Sequence, residues 1–265
     1  MEPGGQRVRG WRVSLFAGVV EWFATAANWT GSDGVPARLV EHLYYSGIAL
    51  LIGLVIALPV GALVGHTGRG SFLLVGFGNG MRALPELGLL TLLALLMGIG
   101  LLPVVLALAV LAVPPVLAGA YAGVRNVNRA TVDAARGMGM RESQVLLKVE
   151  LPNALPLILG GVRSAALQVI ATAAIAAVVS FGGFGRYLID GQRQYDYAEM
   201  VAGAVLIALL ALLVEGVLAM LQRAVVSPGL RSRAGRSPTV DIARPEPDAP
   251  STPPPPAPEL AGVER

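Results

Sequence analysis

Apolar positions in this chain run in long continuous blocks, each near the length that crosses a bilayer, instead of alternating or forming the narrow stripe of a surface helix. A hydrocarbon core about 30 Å thick needs roughly 20 residues of helix. Tyr44 to Gly65 meets that length without interruption. A polar turn, His66-Thr67-Gly68-Arg69-Gly70, separates it from Ser71 to Gly100, a run broken near Arg82-Ala83-Leu84-Pro85-Glu86. Pro103 to Val124 follows, with Pro114-Pro115 as its expected kink. After a polar block, Arg125 to Glu150, come Leu155 to Phe181 and Tyr197 to Leu221. The pattern predicts an all-α polytopic membrane protein with five core transmembrane helices.

Composition supports this reading: 54% of the residues are hydrophobic and 14% charged, against about a quarter charged in soluble domains. Mean hydropathy is +0.65. With no cysteine and only His42 and His66, thiolate chemistry and histidine metal clusters are not available. The net charge of +3 does not point to nucleic acid, because the basic residues flank apolar runs instead of clustering with aromatics. They serve topology. With the Arg125–Glu150 loop in the cytoplasm, Arg125, Arg129, Arg136, Arg141, Lys148, Arg69, Arg223, Arg231, Arg233 and Arg236 lie inside, and only Arg38, Arg186 and Arg193 outside.

Residues 1–41 hold an apolar run, Val13 to Asn28, behind Arg7, Arg9 and Arg12. A cleaved signal peptide fits its basic start, but Glu21 breaks the apolar region and Trp22-Phe23 are bulky near the site. A spanning and an interfacial helix both stay open. Spanning places Arg7, Arg9 and Arg12 inside, which favours a sixth helix. Residues 42–222 form the transmembrane domain with its loop at 125–152. Residues 223–265 carry ten of the nineteen prolines, all beyond Ser227, and read as a disordered cytoplasmic tail.

The loop is more than a solvated connector. Thr131 to Arg136 reads as a short helix with two small residues side by side, ended by Gly137 and Gly139. Arg141 to Glu150 restarts an amphipathic helix, and Leu151-Pro152 is expected to stop it. Asp133-Ala134-Ala135, three residues, Gly139, nine residues, Val149, one residue and Leu151-Pro152 make a fixed spacing. This segment resembles the EAA loop of permease subunits of binding-protein-dependent ABC importers, with Asp133 standing for glutamate. Leu84 to Leu90, Gly98 to Gly100, Ala118 to Val124, Gly137 to Met140, Ala171 to Ile175 and Gly182 to Gly185 further resemble the osmoprotectant permeases. The resemblance covers roughly His42 to Leu221.

It implies a type I importer permease fold in the cell membrane and import of glycine betaine, choline, carnitine or proline betaine. It also implies a cytoplasmic ATPase that carries ATP and Mg, an extracytoplasmic solute-binding protein, and a second permease subunit, the same chain or a similar one. No catalytic residue is then needed, and the absence of a Walker A sequence agrees with hydrolysis residing in another chain.

Within the spans, Arg82 and Glu86 are spaced to share a helical face. Charge inside a membrane favours function. Glu86 either faces the solute path, where a carboxylate attracts a quaternary ammonium cation, or forms an internal ion pair. Gln168, Thr172 and Ser180 are candidates for the same path. Arg163 is expected to snorkel to the cytoplasmic edge. Gly182 to Gly185 is either a tight turn or part of a binding-protein contact. A different solute, such as an amino acid or another cation, remains an alternative. A proton-coupled secondary transporter would need its own inverted repeat, and none is evident.

The charge balance generates a topological test, which the lack of native cysteine makes clean. Ser143→Cys should resist an impermeant thiol reagent added outside intact cells, and Gln192→Cys should react. The opposite labelling pattern would invert the topology.

Overall fold

The computed structural model describes residues 15–179 and 181–226 of the chain. Ser180, Arg7, Arg9, Arg12 and the segment beyond residue 226 lie outside the described residues. In chain order the helices are α1, described over Leu15–Ala24, α2 (Val35–Thr67), α3 (Ser71–Arg82), α4 (Glu86–Met97), α5 (Leu101–Arg125), α6 (Arg129–Gly137), α7 (Glu142–Val145), α8 (Leu151–Thr172), α9 (Gly185–Gln194) and α10 (Tyr197–Val225). Short 3-10 segments occupy Ala26–Trp29 and Ala173–Val179, and a π segment occupies Leu146–Glu150.

Among the described residues, four helical runs are long and apolar enough to cross a membrane: Val35–Thr67, Leu101–Arg125, Glu142–Val179 and Tyr197–Val225. A fifth crossing is available if α3 and α4 count as one broken span, since they meet at 83° across residues 83–85. Pro85 accounts for the break: it has no N–H to continue α3, and it stands at the N-cap of α4. Arg82 and Glu86 therefore end one helix and begin another, and do not share a helical face. The ten described residues of α1 cover about 15 Å, half of a bilayer core. Gly18 of α1 lies against Ala198 at the start of α10, and Trp22 meets Tyr187 of α9 edge to face at 5.1 Å. These contacts seat α1 beside α9 and the beginning of α10.

α2 begins nine residues before the expected apolar run. Gly34 caps it, Pro36 falls in its first turn where a missing N–H costs nothing, and Gly68 ends it at φ +68°. The polar residues of those added turns have partners: Arg38 pairs with Asp33 and Glu41, and His42 Nε2 lies 3.0 Å from the Ile170 carbonyl.

α5 is the centre of the bundle, with Val104, Leu108, Ala112, Val116 and Ala120 almost wholly buried. Lipid gives helices no hydrophobic reason to associate, so contact depends on close backbone approach through small residues. The buried positions Ala49, Gly53, Ala57, Gly61 and Gly65 recur every fourth residue of α2. A Cβ at Gly53 would lie 2.6 Å from Ala112 Cβ, one at Gly61 2.8 Å from Ala120 Cβ, and one at Gly65 2.9 Å from Val124 Cβ. The register is constant and parallel. On another side, α8 crosses α5 at Gly119 and Gly161, where a Cβ on Gly161 would stand 2.6 Å from the Pro115 carbonyl oxygen.

α8 does not begin after a stop. Leu151 is helical at φ −59°, ψ −45°, and its N–H reaches back five residues to Leu146 O. Pro152 cannot donate to Lys148, and its ring would crowd that carbonyl in a regular helix. The π turn ahead of it widens the backbone, so the amphipathic segment runs on into the span. Arg163 pairs with Glu215 of α10, and its Nη1 donates to Gln222 near the end of that helix at 2.6 Å. Gln222 in turn donates to the Pro156 carbonyl at 3.1 Å, which ties α10 to α8.

The Gly119–Gly161 crossing makes Gly161→Val a sharp test. Overpacking there should cost about 1–3 kcal/mol and lower the melting temperature in detergent. Gly160→Val, whose Cβ would meet nothing within 4 Å, should leave it nearly unchanged.

Candidate functional site

The loop between α5 and α8 folds as a unit. Asn128 caps α6 by accepting from the Ala130 N–H at 2.9 Å. Val132, Ala135 and Val145 form a small buried core, against which Val127, Met140 and Val149 pack. Gly139 makes the reversal between α6 and α7 at φ +81°, a region that a β-branched residue resists.

Of the expected loop residues, Asp133, Ala134 and Gly139 are exposed, and Asp133 lies 3.6 Å from Arg136. Met138 is 77% exposed beside them. Ala135 points the other way: it is 2% exposed and belongs to the loop's own core. Its small size is therefore required by Val132 and Val145, because α6 packs one face on α7 and turns only the other outward. Val149 packs on the same core, Leu151 is half-buried, and Pro152 is exposed.

A polar chain fastens this unit to the bundle. Arg136 Nε and Nη2 donate to the two Glu142 oxygens at 2.9 and 3.0 Å. That hydrogen-bonded carboxylate, helped by the charge of Asp133, raises the Arg136 pKa above its ordinary value. Glu142 Oε2 lies 3.1 Å from His66 Nε2 at the end of α2, and Glu150 Oε2 lies 2.5 Å from His66 Nδ1. His66 and Glu150 carry no motif signal. Both stand where an apolar run meets polar sequence, so topology alone places them at one membrane face, but only the packing of α2 on α5 makes them neighbours.

At the opposite ends of the helices, Gly182–Phe184 docks onto α2. Glu41 Oε2 accepts from the Gly183 N–H at 2.8 Å, Tyr45 Oη donates to the Gly182 carbonyl at 3.2 Å, and Phe184 N–H donates to His42 Nδ1 at 3.3 Å. A Cβ at Gly182 would collide with Glu41 and one at Gly183, at φ +86°, with Tyr45. Close approach thus explains this glycine cluster. Nearby, Tyr187 donates to the Asp33 carbonyl at 2.8 Å, and burial pushes its hydroxyl pKa up to about 12.

The expected path residues are not gathered in one place. Arg82, exposed at the end of α3, lines a cleft of about 230 Å³ with Asn79, Pro114, Ala118 and Tyr121. Glu86 is half-buried at the start of α4, and no ion pair joins it to Arg82 among the described residues. Gln168 and Thr172 are half-buried one turn apart on α8.

The structure thus sets a folded polar loop between α5 and α8 on a centrally packed set of membrane-length helices. Residues 49–232 match the family described as binding-protein-dependent transport system inner membrane component. The chain is 34% identical over 191 residues to a glycine betaine/carnitine/choline transport system permease protein of Bacillus subtilis, covering 72% of this chain and 88% of that one. It is 32% identical over 196 residues to an osmoprotectant import permease protein of Salmonella typhimurium, covering 72% and 91%. A solved structure of the MetNI methionine ABC transporter in an inward-facing conformation aligns with a TM-score of 0.65 at 25% identity, covering 73% of this chain and 97% of that one. The chain belongs to the family of binding-protein-dependent transport system inner membrane components. It is an ABC importer permease of the inner membrane, not itself catalytic; ATP binding lies with the partner ATPase, and the system includes a binding protein.

The two faces of α6 separate two kinds of substitution. Ala134→Glu, on the exposed face, and Gly139→Val, at the reversal, should abolish uptake while the protein stays in the membrane at normal abundance. Ala135→Leu should instead overpack the loop core by about 1–3 kcal/mol and make the loop protease-sensitive in the isolated permease. Limited proteolysis and uptake, measured side by side, check both.

Proposed function

We propose that this permease forms, with a second permease subunit, the path for an osmoprotectant carrying a quaternary ammonium group, such as glycine betaine, choline or carnitine. The observation that carries the reading is the identity of about one third, over nearly three quarters of the chain, to permeases named for those solutes. In this reading the exposed face of α6, with Asp133, Ala134 and Met138, enters a groove of the cytoplasmic ATPase. Small residues there admit close contact, and Met138 adds an adaptable apolar anchor. The α6 reversal and the loop core make the contact a stiff lever, so movement of the ATPase is transmitted and not absorbed. Glu86 faces the solute path, where its carboxylate offsets the cationic headgroup. Gln168 and Thr172 contribute polar lining.

Uptake in cells lacking other osmoprotectant systems tests this. Expression with the partner ATPase and binding protein should restore accumulation of labelled glycine betaine, choline or carnitine and growth in high salt. Glu86→Gln should lower that uptake at least about tenfold, since it removes charge and keeps shape. Accumulation of methionine with none of the three solutes would replace the osmoprotectant reading by an amino-acid one.

A further inference from the structure

We propose that His66 is a positioning residue for coupling, whose ring, set between the Glu142 and Glu150 carboxylates, pins the loop to α2 so that displacement of α6 moves α2 together with α5 and α8. The proposal rests on the reading of α6 as the ATPase contact.

Chain connectivity alone joins α6 to α5 through residues 126–128, and to α8 through α7 and the π turn. It does not join α6 to α2. Among the described residues, the hydrogen bonds and ion pairs between α2 and residues 126–150 all pass through His66. Both ring nitrogens face carboxylate oxygens, Nδ1 that of Glu150 at 2.5 Å and Nε2 that of Glu142 at 3.1 Å. Ionised carboxylates only accept, so both contacts are hydrogen bonds when the ring is an imidazolium. The His66 and Glu150 side chains are 10% and 6% exposed, which strengthens their attraction. On its far side Glu142 is held by the two-pronged contact from Arg136 of α6. The mechanical series is α6, Arg136, Glu142, His66, α2, with Glu150 joining the foot of α8 to the same ring. Arg125 of α5 and Arg129 and Asp133 of α6 line the cleft around this cluster and complete its charged surroundings.

α2 gives the pin its reach. It is one helix of 33 residues, about 50 Å long, and its far end carries Glu41, His42 and Tyr45 on the Gly182–Phe184 turn. A shift delivered at His66 is therefore delivered to that turn as well. A brace that merely stabilised the loop would affect folding and ATPase retention; a pin affects communication.

The test uses the full-length permease assembled with its ATPase in lipid nanodiscs. ATP hydrolysis is measured with and without its binding protein loaded with glycine betaine, and the ratio is the readout. If the wild-type permease retains no ATPase, the α6 reading fails and the comparison stops there. With a responsive wild type, His66→Ala and the milder His66→Gln should each lower the ratio by about fivefold, with basal hydrolysis and ATPase retention unchanged. Wild-type ratios in both variants would overturn the proposal, as would a loss of basal hydrolysis and ATPase retention in step with the ratio.

Discussion

The bundle depends on how closely two backbones can approach α5. Inside a bilayer, lipid tails are as apolar as leucine, so helix association must come from packing and from a few polar ties. α2 meets α5 through Gly53, Gly61 and Gly65, and α8 meets it at the Gly119–Gly161 crossing, where side chains would not fit. Because these contacts are made by backbone and methyl groups, their register is narrow: a slide by one residue would put a bulky side chain into the seam. The long faces of α3 and α4 are treated differently. Leu74 and Leu90 are buried, but Phe72, Leu95 and Leu96 are among the most exposed large side chains, available to lipid or to a second subunit.

On that frame, polar groups act as localised fasteners. The cluster of Glu41, His42 and Tyr45 satisfies the backbone of a glycine turn that enters too closely for side chains. Arg163, Glu215 and Gln222 tie α10 to α8, which the small-residue seam around α5 does not reach. In a low-dielectric setting such groups are strong when paired and costly when not, so each cluster holds its helices in a defined arrangement.

The loop adds a third kind of organisation, a miniature core of its own. Val132, Ala135 and Val145 give α6 an inside and an outside before any partner arrives. Two adjacent alanines in one motif consequently do different work. Ala135 is small because the loop needs it, whereas Ala134 is free to be small for something else. A stiff, pre-formed surface is what a transmission element requires, since a loop ordered only on contact would take up motion as its own rearrangement.

Much was legible in sequence because it depends on local chemistry. Length and hydropathy of the apolar runs placed the crossings, Pro85 located the break, and the Asp133-to-Pro152 spacing marked the loop, all from properties that neighbours along the chain carry themselves. Pro152 misled, since its effect depends on whether the preceding turn can widen to a π segment. Arg82 and Glu86 misled for a related reason: a four-residue spacing implies one face only if the helix is continuous. The side-chain pairings were decided by tertiary structure alone. His66 lies 84 residues from Glu150, and Arg163 lies 52 from Glu215. What brings each pair together is the fit of glycines against α5 and the antiparallel return of α10. A single sequence shows which residues are small and which are charged, but which of them meet is set by the helix crossings.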